Sequence, residues 1–294
     1  MKKLGLATAL LLAVTGAQAY NVEVQGQAEY IDNTVNDKNF AGAVQGTYYL
    51  KNVDSSKGPL AEAAFLNQAS NVAVAYTYGE YDVDAVNTNQ ETHSVGVKAE
   101  AYIPTKFVPA YASASYSHTL TDGHGGQKDD SGDRYAIEVG AVVAPNFLFA
   151  LGYTNVESRV SYDAFGTVAN GVAKAALEEQ TVARDQDALT ARTKYVGAID
   201  GTNMSIGFET NMLFAEYNAF GFKTDLFLND KLSVGASYAE ARISNHNTPK
   251  AVGANVNYFV TPAVAVGASY VNVNAENGAK NDTQTVGVNA KFRF

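Results

Sequence analysis

Four histidines, His93, His118, His124 and His246, are the first residues to weigh for chemistry. His118 and His124 stand close in sequence to Asp122, Asp129, Asp130 and Asp133. An imidazole beside a carboxylate is the pairing that general acid–base catalysis uses. Proximity in a glycine-rich loop does not make such a set catalytic, because nucleophile, base and orienting group must also meet in space. The chain has no GxSxG elbow, no HExxH helix and no Walker loop to supply that geometry. Asp122-Gly123-His124-Gly125-Gly126 with Asp129-Asp130 has the oxygen chemistry of a hard-cation loop, but its spacing is not that of an EF-hand. The expectation is a solvated loop with no catalytic residue, no metal site and no cofactor. An enzyme built on His118 and His124 is the least favoured reading.

The second chemical set is a series of charged residues at alternate positions: Glu23, Glu29, Lys98, Glu100, Arg134, Glu138, Arg192, Lys194, Glu209, Lys223 and Lys291, with Arg293 beside them. Each has an apolar neighbour on at least one side, so a strand would carry the charge on one face and mainly apolar residues on the other. Charged groups at membrane depth are tolerated facing a water-filled or mutually paired interior and are costly facing lipid. Both signs occur in similar numbers, which argues against sharp ion selectivity. Two readings stay open at this point. Arg134, Arg192, Lys194 and Lys223 line a hydrated constriction opposite Glu23, Glu29, Glu100 and Glu138, or the same groups pair and brace a closed barrel.

The elements that would position these groups are strands. Tyr20, Val22, Val24, Gly26, Ala28 and Tyr30 fall on one face, and Asn21, Glu23, Gln25, Gln27 and Glu29 on the other. The last segment repeats this, with Val286, Val288, Ala290, Phe292 and Phe294 opposed to Thr285, Gly287, Asn289, Lys291 and Arg293. About fourteen such segments, from 21–32 to 283–294, are read in this way. Tight turns with Pro145-Asn146, Asn229-Asp230 and Thr261-Pro262 alternate with longer polar loops at 121–133, 246–250 and 276–282. Period-two strands of roughly ten residues, joined by short turns at one end and longer loops at the other, predict an all-β fold. More narrowly, they predict a transmembrane antiparallel β-barrel with aromatic girdles drawn from Tyr30, Tyr76, Tyr116, Tyr153, Tyr270, Phe292 and Phe294. Two stretches break the alternation. Lys57–Ala69 is helix-prone after Gly58-Pro59 and falls at the periplasmic end as a cap. Gly171–Ala188 is helix-prone in the longest external loop and is expected to fold inward and narrow the lumen.

Residues 1–19 carry Lys2 and Lys3, an apolar run from Leu4 to Val14 and Ala17-Gln18-Ala19. This is the pattern of a cleaved secretory signal peptide, too short to span a membrane. The expected organisation is a signal peptide over 1–19 and one barrel over 20–294. Without those two lysines the 21 basic residues fall to 19 against 30 acidic ones, a net charge of −11. That balance disfavours nucleic acid as a partner. Zero cysteine excludes a disulfide framework, a thiolate zinc site and a thiol nucleophile.

The segment KNVDSSKGPLAEAAFLNQASNV (51–72), with the first strand NVEVQGQAEY and the terminal FRF, resembles the general bacterial porins of Gram-negative outer membranes. The similarity is strongest to the class running at thirty-three to thirty-six kilodaltons, and it covers essentially the whole chain after residue 19. It implies a fourteen-stranded water and small-solute channel, its lumen largely obstructed by inward loops. A terminal aromatic such as Phe294 resembles the signal read by the outer-membrane assembly machinery. The resemblance carries no catalytic residue.

The expected function is therefore passive diffusion of water and small hydrophilic solutes across the cell outer membrane. The expected partners are outer-membrane lipid, lipopolysaccharide and the assembly machinery, and the expected state is a monomer. The alternative is a closed barrel whose external loops mediate adhesion or protein interaction without transport.

Overall fold

Strands outnumber everything else because almost every segment offers valine, alanine and tyrosine to one side and polar groups to the other. The computed structural model describes residues 19–33, 36–83, 88–123, 129–157, 163–166, 186–216, 218–242, 248–274 and 283–294. Fourteen strands occur among them: β1 (Ala19–Asn33), β2 (Asn36–Asp54), β3 (Asn71–Val83), β4 (Thr88–Ile103), β5 (Ala110–Gly123), β6 (Asp130–Ala144) and β7 (Phe147–Glu157), followed by β8 (Gln186–Ala198), β9 (Ser205–Phe214), β10 (Asn218–Phe227), β11 (Leu232–Ala241), β12 (Lys250–Thr261), β13 (Val264–Asn274) and β14 (Thr283–Arg293). Each pairs antiparallel with its neighbours in sequence. The ring closes where β1 meets β14, from Glu23 opposite Arg293 to Asn33 opposite Thr283. Closure leaves no edge strand, which a lipid environment requires because it offers no hydrogen bonds to an open edge.

The outer wall is apolar and exposed. Val139 on β6 and Val288 on β14 are 64% and 59% exposed, while Glu138 on the same strand as Val139 turns inward. Tyr30, Tyr76, Tyr153, Tyr270 and Phe294 are all exposed on this wall. Tyr20 departs from the alternation read in the sequence. A bulge between Tyr20 and Val22 shifts the register against β2 and turns Tyr20 inward, where it is buried edge-on against Tyr49 at 5.6 Å.

The tight turns use their turn residues as expected from their chemistry. Asn146 adopts the left-handed region at φ 58°, which asparagine tolerates better than most residues. The Asn229 side-chain oxygen accepts the backbone N–H groups of Lys231 and Leu232.

Lys57–Ala69 does not form one helix. Gly58 at φ +142° and Pro59 swing the chain into the barrel, where a 3-10 turn (Leu60–Glu62) is followed by a single α-turn, α1 (Ala63–Leu66). The Asn67 amide donates to the carbonyls of Ala63 and Asp54 at 2.7 Å, which ends the α-turn and ties it back to β2. This plug packs in three directions. Phe65 meets Tyr111, Val142, Leu148, Ala150, Val196 and Phe227. Leu60 meets Phe259 and Ala265, and Ala63 meets Tyr20, Tyr49 and Val53. The largest buried apolar cluster, around Phe65, is therefore the seat of the plug, at the end where the short turns lie.

Candidate functional site in the barrel lumen

The lumen above the plug is lined by the inward faces of the strands. There the structure places every charged residue singled out by alternation, some paired with one another and some with groups the alternation did not name. Lys98 lies 3.0 Å from Glu100, which also accepts hydrogen bonds from the Tyr111 hydroxyl and the Asn71 amide. Arg192 clamps Glu138 with two nitrogens, at 3.0 and 3.3 Å, and donates to the Tyr111 hydroxyl at 2.7 Å. Its guanidinium also lies 5.3 Å from the centre of the Tyr111 ring. Such fork contacts fix an arginine more firmly than a single bond does. Lys194 lies 2.9 Å from Glu62 of the plug and 3.8 Å from Glu209. Lys223 pairs with Asp225 at 3.2 Å. Glu23 holds Lys291 at 3.0 Å and Arg293 at 2.8 Å, with Arg293 sandwiched between the rings of Tyr20 and Phe259. Glu29 is buried and accepts a hydrogen bond from the Gln27 amide.

Arg134 reaches a residue outside the strands. Its guanidinium lies 2.9 Å from Asp163, which opens the short described segment 163–166 between β7 and β8. Burial opposes ionisation of Asp163. Arg134, Lys98 and the backbone N–H groups of Gly166 and Phe165 outweigh it and hold the carboxyl below the usual aspartate range. Ala164 and Phe165 pack on Ala73 and Ala75 of β3. Gly96 makes room for them: a Cβ there would stand 2.9 Å from the Phe165 ring and 3.1 Å from Ala164. The external connection therefore enters the barrel through residues 163–166. The stretch read as the inward fold, Gly171–Ala188, lies outside the described residues except for its last three, which belong to β8.

Two cavities fill the space between. One, of about 240 Å³, is lined by Lys98, Arg134, Glu138, Asp163, Phe165 and Arg192. The other, of about 310 Å³, has plug residues Ala61 and Glu62 on one side and Gln25, Gln27, Asn257 and Asn289 on the other. Glu209 borders both.

The histidines lie elsewhere. The Asp133 carboxylate accepts hydrogen bonds from the His118 Nδ1–H at 2.8 Å and from the Tyr116 hydroxyl at 2.6 Å. All three side chains stand on the outer wall and enclose no cleft, so the geometry that acid–base work requires is not built there. His93 faces Tyr76, 2.8 Å from its hydroxyl. His124 and His246 lie outside the described residues. Among the described residues, no three His, Cys, Asp or Glu side chains converge as a metal site would require.

The alternation of charges did not reveal Glu62, Asp163 and Asp225 as partners. A short signal could have pointed to the inward glycines. The step Val-Gly followed by Ala or Val recurs at Val95-Gly96, Val234-Gly235, Val252-Gly253, Val266-Gly267 and Val286-Gly287. Each places the valine on the lipid side and the glycine on the lumen side, where a side chain or the inward segment lies across it.

A closed antiparallel barrel, apolar outside and polar inside, with a bore narrowed from both ends, defines an outer-membrane channel of the porin type. The chain belongs to the family described as "Putative general bacterial porin", which matches residues 1–294. Among solved structures it is similar to the outer membrane protein Omp33 of Acinetobacter baumannii, at 50% identity and TM-score 0.70, covering 95% of this chain and 100% of that one. The fold alone is shared with the CymD monoaromatic hydrocarbon channel, at 8% identity, TM-score 0.57 and coverage of 94% and 89%. It is also shared with a Pseudomonas aeruginosa FadL homologue, at 10% identity, TM-score 0.51 and coverage of 94% and 90%. The comparison with curated proteins gave no match. Family and neighbours point to a bacterial outer membrane.

Proposed function

We propose that the barrel passes water and small hydrophilic solutes by passive diffusion through a narrow lumen. The observation that carries this reading is the pair of cavities that share Glu209, each bearing charged side chains on its wall, bounded by the plug on one side and by the 163–166 segment on the other. A polar wall replaces part of the hydration shell of a solute, and bore and wall charge then set which solutes pass. Arg134, Lys98 and Arg192 with Glu138 and Glu100 form one side of that wall, and Lys194, Lys223 and Lys291 with Glu209, Glu23 and Glu29 contribute to the rest. Because the cations have carboxylate partners, the wall discriminates by size more than by sign. No energy coupling and no cofactor enter such a mechanism.

The barrel stands alone as a monomer in lipid and lipopolysaccharide, and Phe294 serves the assembly machinery. Support for the last point is positional. Phe294 is exposed on the lipid side, while its backbone bonds Asn21 and Val22 of β1 and so completes the closing seam.

The alternative of a closed barrel acting through its external loops draws on the same ion pairs, which brace as well as line. Flux through purified protein in liposomes separates the two. Water, ions and a size series of sugars are compared, with folding verified by heat-modifiable mobility. Passage with a sharp size limit supports the channel. Silence from a folded barrel overturns it in favour of the external loops.

A further inference from the structure

The two halves of the lumen differ in chemistry. Around β4, β6 and β8 the inward groups are charged and clamped. Around β11 to β13, and at Asn289 of β14 and Gln25 and Gln27 of β1, they are mainly carboxamides and hydroxyls laid over glycines, with Glu29 and the paired Glu23, Lys291 and Arg293 flanking them. One rung of the barrel reads Ser233, Asn257, Gly267, Asn289 and Gln27 across five neighbouring strands. The next inward rung on the external side reads Gly235, Asn255, Ser269, Gly287 and Glu29. Each glycine is the floor on which its neighbours rest. A Cβ on Gly267 would meet the amides of Asn257 and Asn289. One on Gly235 would meet Asn255, and one on Gly287 would meet the Ser269 hydroxyl. The amides therefore lie along the wall over the glycines, beside the cavity they line.

The charges bordering this cavity are compensated by protein: Lys223 by Asp225, Lys291 by Glu23, and Lys194 by Glu62 and Glu209. What is left to bond a guest is neutral. Asn257 and Asn289 both line the cavity, and among the described residues neither side chain makes a hydrogen bond to protein. A carboxamide offers a donor and an acceptor side by side. Two adjacent hydroxyls of a polyol present the complementary pair, whereas an ion brings a charge for which this wall has no spare partner.

We infer that the Asn257–Gly267–Asn289 rung is a binding subsite for uncharged polyhydroxylated solutes, polyols and small sugars, on their way through the lumen. The inference rests on the channel reading above and names its solute class. Occupancy of the subsite partly blocks ion flow, so polyol lowers single-channel current in a saturable way.

The test compares wild type with the double variant Asn257→Leu, Asn289→Leu, which keeps the branched side-chain shape and removes the polar edge, and with Asn257→Gln, which keeps the amide. Liposome swelling in xylitol and current block by xylitol are both measured, with urea swelling and potassium conductance as controls. The expected result is at least a tenfold weaker block and a several-fold slower xylitol flux in the double variant. Potassium conductance should change less than twofold, and Asn257→Gln should recover much of the block. A wild-type barrel that passes xylitol with a block that merely follows solution viscosity, equal in all variants, overturns the subsite and leaves the channel standing. A folded wild type that passes neither xylitol nor ions overturns the channel reading and the subsite with it.

Discussion

Glu62 of the plug and Lys194 of β8 form an ion pair of 2.9 Å between a turn that enters the lumen and the wall it leans on. Lys194 also lies 5.2 Å over the ring of Phe65, so one lysine touches both the charged and the apolar side of the plug. The plug is anchored by Phe65 and Leu60 in apolar seats and aligned by Glu62 in the wall.

Breaking that alignment should widen the passage without unfolding the barrel. Glu62→Ala leaves the apolar seats intact and costs about 1–3 kcal/mol of plug docking, a shift of roughly fivefold to a hundredfold in the undocked population. Single-channel conductance should rise, with frequent transitions to a larger level. Lys194→Ala should act in the same direction, and the double variant should add little to either. Strictly additive effects would show that the pair does not hold the plug.

Gly96 should be as sensitive as a bulky position usually is. Gly96→Val places atoms where Phe165 and Ala164 now rest, and it should expel the 163–166 segment from the wall. The solute size limit in liposome swelling should increase, whereas Gly79→Val, at an inward glycine with open space around it, should leave the limit unchanged.

Removing positive charge on one side exposes its partners. With Arg134→Gln and Arg192→Gln together, Asp163 and Glu138 lose their counter-charges, and reversal potentials under a salt gradient should shift toward cation selectivity. Unchanged selectivity would place the ion path away from this half of the lumen.

The Arg134–Asp163 contact has a pH window set by its sign. A carboxyl held below its ordinary value stabilises the docked segment fully above the ordinary aspartate pKa of about 3.9, and loses that contribution as pH falls through the lower folded value. Conductance should therefore be flat from about pH 8 to about pH 5 and rise only in stronger acid. Asp163→Asn should show the acid-type conductance already at neutral pH. A step between pH 5 and 8 that Asp163→Asn abolishes would contradict this account.

The outer wall should resist charge. Val139→Arg sets a cation on the lipid side and should cost up to about 2–4 kcal/mol of barrel stability, read as a lower temperature for loss of heat-modifiable mobility. The Ala136→Arg change on the lumen side of the same strand should cost less stability and alter conductance instead.

How much of this was legible beforehand follows from which forces are local. Alternation fixed the wall assignment of Val139 and Glu138, and of Val288 and Asn289, because a strand between lipid and water must change polarity at every residue. Turn chemistry at Asn146 and Asn229 marked the short-turn end for the same local reason. Tyr20 escaped the alternation because a bulge inserts one residue, and no composition signal announces it. Gly58-Pro59 announced a break in β-structure but not its depth, since the inward swing depends on apolar seats supplied by seven other strands.

From the sequence alone came the number of strands, their outward faces and most of the charges that turn inward. All of these depend on the preference of each side chain for lipid or water, repeated every second residue. Only the closed barrel decided that Glu62 meets Lys194, that Asp163 meets Arg134, and that Phe165 rests on Gly96. Those contacts join segments far apart in the chain across a curved lumen. Their partners are set by the registers of fourteen strands and the direction in which two connections fold inward, which no local pattern of residues encodes.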